Sequence, residues 1–429
     1  MDIVSSFCFN KAGQGAFYTG KIKKISTKRE FNFAFDCGTS RGVEYLREEI
    51  KNFKNNLVQN TLDLLIISHL DTDHVNHLNE LLEEIKCKKV IMPYLSPIRR
   101  LFLCLAQEDN PSLDYLEFLT DPFAYFIKRD VDAEDIIYIE GDSDDGSSEA
   151  QLINDYIPPL PDVTLDLENK LSQGKFIYES NSIGERFGKI FGTKSHSYRD
   201  KERILIGSYW EFYFYNKKAN DDQIEMFNAF LKDEYILKEE DINIEDIWME
   251  TLKEILKDTA KLSEVRIKFK ELFKCTNTTG IVVLHGPLNR LNNGGQVILN
   301  YVNNNEVHIN DTTICKTLLT GDINLNTIDF PQYIKNRLNQ VRYFQVPHHG
   351  SRISWNKEIL KSLHNPLATG SQDKEEDKVN LVINYGVGNT HGHYSDKIYE
   401  DVILNNNNQK LYFNTQFHRF EYSLTLNMI

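Results

Sequence analysis

"LLIISHLDTDHVNHL" (residues 64–78) sets an unbroken apolar run against two acids and three histidines. The run belongs to "TLDLLIIS" (61–68). It predicts a strand covered on both faces, because such a strand reads as apolar throughout and does not alternate. "DHVNHLNELLEEIKCK" (73–88) has helical spacing through Val75, Leu78, Leu81, Leu82 and Ile85. His69, Asp71, Asp73 and His74 therefore fall where a buried strand hands over to a helix. In α/β sheets the carboxyl ends of strands form the usual site.

Working outward, other strand ends collect the same residue types. Asp36 follows "FNFAF", with Gly38 as a turn residue. Asp322 follows "KTLLTG", and His348 and His349 follow "VRYFQV" and Pro347. Buried carboxylates and imidazoles need partners, so packing alone does not explain them. His69 and Asp71 can point the same way from an extended loop. Asp73 and His74 can then serve a second cation as the helix begins. This division suits two metals about 3.5–4 Å apart, bridged by a carboxylate and a water or hydroxide. Asp322 is the candidate bridge. The plain alternative for 69–74 is a polar loop with Asp73 as helix N-cap, which needs neither histidine. For His348 and His349 it is a hydrogen-bonded loop pair, and for Asp36 a turn former.

The 429 residues allow one large domain or two to three ordinary ones. An apolar fraction of 41% with 26% charged residues fits a water-exposed globular chain. No stretch has the length of a transmembrane helix. The start, "MDIVSSFCFNKAGQGAF", has no basic segment leading into an apolar one. The six cysteines form no C-x-x-C pair. A reduced, cytoplasmic protein with no membrane partner is the expectation. A formal charge of −14 counts against a broad non-specific grip on nucleic acid, though not against a small anionic substrate held by metal.

"SSFCFNKAGQGAFYTGKI" (5–22) predicts two strands around Gly13 and Gly15, and "KVIMPYL" (89–95) another. "IRRLFLCLAQ" (98–107) reads as a helix. "DVDAEDIIYIEGDSDDGSSE" (130–149) contains no Lys or Arg and predicts a solvated acidic loop, with a surface for a basic protein partner as the lesser reading. "YIPPLPD" (156–162) excludes regular helix. "RILIGSYWEFYFYN" (203–216) predicts one core strand, and 221–237 and 243–273 predict helices that form a rim or lid. "TTGIVVLHG", "KTLLTGDIN", "VRYFQVPHHGS" and "KVNLVINYGVGN" read as strands; "LNTIDFPQYIKNRL" and "YSDKIYEDVI" read as helices. "VNNNEV" (302–307) and "NNNNQK" (405–410) read as hairpin tips. Trp210 and the aromatic run to Tyr215 read as core.

The His69-x-Asp71-x-Asp73-His74 pattern resembles the metallo-β-lactamase superfamily, whose usual signature is His-x-His-x-Asp-His. With "AGQGA" (12–16), "FDCGTS" (35–40), "LLTGD" (318–322), "VPHHGS" (346–351) and "NYGVGNTHGHYSD" (384–396), this variant resembles the soluble hydrolase domain of ComEC-type competence proteins. The motifs cover roughly residues 5–95 and 277–429.

The resemblance implies an α/β (α+β) fold: a four-layer αββα sandwich with residues 1–95 and 277–429 as the hydrolase domain and 96–276 as an insertion. It assigns His69, Asp71, Asp73, His74, Asp322 and one of His348 and His349 to two divalent ions. The other histidine of that pair then donates a proton or touches substrate phosphate. Asp36 takes an orienting position behind the ligands, and Asn277 is the counterpart of the usual third histidine, with His285 as alternative. His393 is a candidate orienting group or leaving-group acid, with an ordinary surface histidine as the plain alternative. The implied activity is hydrolysis of a phosphodiester by metal-bound hydroxide, with Asp73, His348, His349 and His393 in the chemistry. Asp71 in place of a histidine hardens the site toward manganese or magnesium, with zinc still open. Nucleic acid is the substrate the resemblance implies. A nucleotide second messenger and a non-catalytic metal-binding module are the alternatives.

Overall fold

In the computed structural model the described residues are 2–95, 100, 103, 112–132, 135–140, 170–171, 196–199, 203–206, 209–216, 258, 260–261, 263–265, 267, 280–288, 296–303, 305–309, 315–363, 378–404 and 409–427. The strands of the first part are β1 (Asp2–Phe9), β2 (Gln14–Lys24), β3 (Arg29–Arg41), β4 (Thr61–Leu62), β5 (Leu64–Ile66), β6 (Lys86–Cys87), β7 (Val90–Pro93) and β8 (Ile136–Glu140). Then come β9 (Lys170–Leu171), β10 (His196–Arg199), β11 (Arg203–Ile206), β12 (Trp210–Asn216), β13 (Ile281–Pro287), β14 (Gln296–Val302) and β15 (Asn305–Ile309). The last are β16 (Lys316–Leu319), β17 (Val341–Val346), β18 (Val379–Asn384), β19 (Gln409–Asn414) and β20 (Phe420–Asn427). One mixed sheet runs β10-β8-β7-β5-β3-β2-β1-β20-β14-β15, and a second runs β19-β18-β17-β16-β13-β12-β11-β9. The fold is thus mixed α/β, with parallel ladders such as β3–β5 and β17–β18 beside antiparallel ones such as β1–β2 and β12–β13.

Side chains on a strand alternate between faces, and the alternation here divides the core into three. Phe33, Phe35, Leu64 and Ile66 of the first sheet share one cluster with Phe212, Val283, Tyr343 and Val382 of the second. Phe33 meets Phe212 edge-on at 5.0 Å, and Tyr343 stacks on Tyr422 at 3.6 Å. The intervening residues face the other way. Ala34, Leu65 and Val90 pack with helices α1 (Val43–Asn55), α2 (Thr72–Val75), α3 (Leu78–Leu82), α4 (Leu113–Thr120) and α5 (Pro122–Ile127). Val282, Leu318, Phe344 and Leu381 pack with α6 (Gln332–Lys335), α7 (Ile359–Ser362) and α8 (Asp396–Tyr399). Trp210 lies in the shared cluster, as its sequence context predicts.

Several expectations need correction. The strand expected to end at Asp36 runs on to Arg41. Ala16 pairs with Gly38 and Tyr18 with Phe35, so β3 carries one extra residue there: a bulge, with Asp36 at φ 57. The helix expected over 73–88 breaks into α2 and α3, because the His77 N–H bonds to the Cys37 carbonyl at 3.1 Å and leaves the helical ladder. The acidic stretch 130–149 contains β8, whose Ile136–Ile139 are buried. Four consecutive apolar residues there outweigh the acids around them. Residues 203–216 form a hairpin, not one strand, with Ile206 opposite Trp210. The helix expected over 325–338 is the single turn α6. Gln409 and Lys410 of "NNNNQK" open β19, which pairs parallel to β18, while 405–408 lie outside the described residues; "VNNNEV" joins the antiparallel pair β14–β15. The expected helices at 221–237 and most of 243–273, most of the expected helix at 98–107, and the stretch 141–162 lie outside the described residues. Among the described helices, none is long and apolar enough to cross a membrane.

Candidate metal centre

β5, β16, β17 and β18 end at one edge, and the residues after each end converge there with the bulge of β3. Asp322 lies in the middle. Its Oδ1 is 3.3 Å from His74 Nε2. Its Oδ2 is 3.8 Å from His69 Nε2, 3.8 Å from His348 Nε2 and 3.7 Å from His349 Nε2. Asp71 Oδ2 lies 3.6 Å from His69 Nε2, and Asp73 Oδ2 lies 3.0 Å from His349 Nε2 and 4.0 Å from His74 Nε2.

Hydrogen bonds behind the rings fix their orientation. Ser68 donates to Asp36 from its N–H and from its hydroxyl, both at 2.6 Å. The hydroxyl oxygen is then free to accept from His69 Nδ1 at 2.8 Å. His74 Nδ1 donates to Asp36 Oδ2 at 2.8 Å, and His349 Nδ1 to the Asn384 carbonyl at 3.0 Å. With Nδ1 protonated, each neutral ring turns an Nε2 lone pair toward the carboxylates. Lone pair against carboxylate is repulsive unless a proton or a cation lies between. The Nε2 atoms of His69 and His74 are buried and have no hydrogen-bond partner. Ligand atoms of Asp73, His74, Asp322 and His349 all lie within 4.8 Å of one another. The residues present therefore fit divalent cations. Asp36, His69 and His74 satisfy the same distance criterion. The Asp36 oxygens accept from Ser68 and His74, the bonding expected of a carboxylate that orients a ligand from behind.

Electrostatics express the same crowding. Burial, with Asp73 and Asp322 nearby, raises the Asp71 carboxyl to about 7. Burial opposes ionisation of Asp73 too, but His74 and His349 hold it down to about 2. Burial disfavours charge on His74 and His349, yet the carboxylates around them raise both, His74 well above its ordinary value. Burial and His74 lower His69 to about 3.

The local chain is shaped to allow this approach. A Cβ on Gly38 would stand 2.6 Å from the Asp73 carbonyl carbon, so only glycine lets α2 dock on the bulge. Asp36, His348 and His349 have φ of 57, 52 and 53. Left-handed backbone costs a non-glycine residue about 1–2 kcal/mol, and such strain collects at functional sites. The capping alternative for 69–74 fails: Asp71, not Asp73, holds the N-cap position of α2, and no side-chain cap bond forms.

His393 stands beside the cluster, with ring centroids 5.5 Å from His348 and 6.0 Å from His349. Gln14 Oε1 accepts from the Gly386 N–H at 3.1 Å, which orients its amide to donate from Nε2 to His393 Nδ1, also at 3.1 Å. That leaves His393 with its N–H on Nε2. Burial and the two neighbouring histidines lower it to about 4, so it is neutral. His285 is not in the cluster. It lies in the shared core against Phe33 and Phe212, 3.1 Å from the Tyr18 hydroxyl, so the alternative ligand role is ruled out. Asn277 lies outside the described residues. Sequence reasoning passed over Ser68, Gln14, Asn384 and Ser354, which is 2.8 Å from His348 Nδ1.

No family model matches this chain, and neither does any curated protein sequence. Among solved structures the chain is similar to a metallo-beta-lactamase fold protein, YhfI from Bacillus subtilis, at 8% identity and a TM-score of 0.33. The match covers 98% of this chain and 100% of that one. At that score it carries no weight for the chemistry.

Proposed function

We propose that this protein is a metal-dependent hydrolase of phosphodiesters. The observation that carries the reading is Asp322, within 3.3–3.8 Å of four histidine Nε2 atoms, two of them buried and without a hydrogen-bond partner. His69, Asp71 and Asp322 would hold one divalent ion, and Asp73, His74, His349 and Asp322 a second, with Asp322 shared. When bound, such ions polarise a phosphoryl oxygen and lower the pKa of water. The carboxylate Asp71 favours manganese or magnesium over zinc.

The chain's own residues do the rest. Asp36, Ser68 and the Asn384 carbonyl hold the imidazoles in one tautomer. His349 is taken as the ligand of its pair, because it lies with Asp73, His74 and Asp322 inside the 4.8 Å set. His348 is left to face substrate. His393, fixed by Gln14, offers its Nε2–H to a leaving or non-bridging oxygen. The two-sheet core with helices on both outer faces supports a four-layer αββα arrangement, and the motif resemblance supports nucleic acid or a nucleotide as substrate. The test is a hydrolysis screen over single-stranded DNA, RNA and cyclic nucleotides with manganese, magnesium or zinc. Metal-dependent cleavage of at least one is expected; metal uptake with no cleavage of any would favour a non-catalytic metal-binding module.

A further inference from the structure

We propose that a second site, at the other end of β17, binds a phosphate dianion, either free or as a terminal monoester. A cavity of about 120 Å³ opens there, lined by Arg342, Lys378, Lys410, Asn303, Asn305 and Asn380 among others. Arg342 is its centre. The register moves from Lys316–Val341 to Thr317–Tyr343 between β16 and β17, so Arg342 is the extra residue of a bulge. Bulges re-aim side chains, and this one sends an arginine into the cavity wall. Arg342 is only 3% exposed, and its Nε is buried without a hydrogen-bond partner. Among the described residues no ion pair or hydrogen bond reaches its guanidinium.

An arginine stays charged at any pH a folded protein meets. A buried charge without a partner is strongly unfavourable, so this position is built for an anion that arrives from outside. Phosphate matches the planar fork of guanidinium donors, and the asparagine amides add neutral donors. A water needs about 10–15 Å³ of such space, so the cavity takes a phosphoryl group and leaves any larger attachment outside. The site is separate from the metal centre. Arg342 is the second residue of β17 and His348 follows the strand's end, six residues later, or about 20 Å at 3.3 Å per residue.

The experiment uses the full chain, stripped with a chelator so that the metal centre contributes nothing. Inorganic phosphate and methyl phosphate are titrated separately by calorimetry, against potassium chloride of matched ionic strength. Saturable binding of phosphate is expected. Arg342→Met should weaken it roughly 10–100-fold, the loss of a charge-assisted pair, and His349→Ala should leave it unchanged. In phosphate-free buffer Arg342→Met should be at least as stable as the parent. Equal binding of methyl phosphate marks a monoester site; binding of inorganic phosphate alone marks a site for the free anion. Absence of both, a matching effect of chloride, or unchanged binding in Arg342→Met overturns the proposal. Should Arg342→Met fail to fold, the Lys378→Met, Lys410→Met double variant decides, and unchanged binding there overturns it as well.

Discussion

Asp36 Oδ2 accepts from His74 Nδ1 at 2.8 Å, and both side chains are fully buried. The bond fixes the tautomer that leaves Nε2 free for a cation. In Asp36→Asn an amide N–H would face His74 Nδ1. The ring would then carry its proton on Nε2, where the ligand lone pair should be. Metal affinity should fall about 10–100-fold, the usual effect of losing an orienting partner. Competition against a chromogenic chelator measures it. Unchanged affinity would mean that Asp36 only fills space.

A pH dependence follows from Asp71. Its carboxyl sits near 7 in the folded metal-free chain, raised by burial and by Asp73 and Asp322, against about 3.9 unfolded. A raised carboxyl contributes stability that is present below the unfolded value and lost as pH rises through the folded one. The chelated protein should therefore gain stability in Asp71→Asn at pH 8, with the gain shrinking toward pH 5. Added manganese should raise the melting temperature of the parent more at pH 8 than at pH 5. Thermal unfolding at the two pH values checks both, and a manganese effect independent of pH would count against Asp71 as a ligand.

Gly38→Ala places a methyl group 2.6 Å from the Asp73 carbonyl carbon. Backbone cannot yield as a side-chain tip can, so α2 must move. A loss of about 1–3 kcal/mol is expected, typical of overpacking, with weaker metal binding because Asp73 and His74 move with α2. Denaturant unfolding and metal titration read the two effects. Wild-type behaviour in both would mean that the bulge and α2 are not in contact.

His393→Ala should keep its metal and lose about 10²–10³ in rate, the cost of one donor to a developing charge. Gln14→Leu should cost less, because it frees the ring without removing it. His393→Asn keeps a donor and should recover part of the loss. Metal content by elemental analysis separates this outcome from collapse of the site; loss of metal together with activity would move His393 into the ligand set.

The His/Asp cluster was legible because its chemistry is compact: His69, Asp71, Asp73 and His74 lie within six residues. Asp322 and His348–His349 stood out as polar residues directly after apolar strands. Gln14 and Ser68 did not. Each is a single common residue whose role comes from partners distant in sequence or from a shared carboxylate, as with Gln14 and His393, 379 positions apart. β8 was masked by the acids on either side of Ile136–Ile139, since composition averages over a window while burial acts on single residues. The break between α2 and α3 was illegible for another reason. The apolar spacing continues through it, and only the bond from His77 to β3 interrupts it. The β11–β12 hairpin had a local signal, the Gly-Ser pair at 207–208, which the surrounding aromatic run obscured.

Hydrolysis of bis-nitrophenyl phosphate by stripped protein, titrated with manganese beside Asp322→Asn, tests the central claim most directly. The parent's rate should rise from near zero and level off at two equivalents of metal per chain. Asp322→Asn should stay flat, because an amide cannot be shared between two cations as a carboxylate can. Full activity without metal, or in Asp322→Asn, would contradict the account.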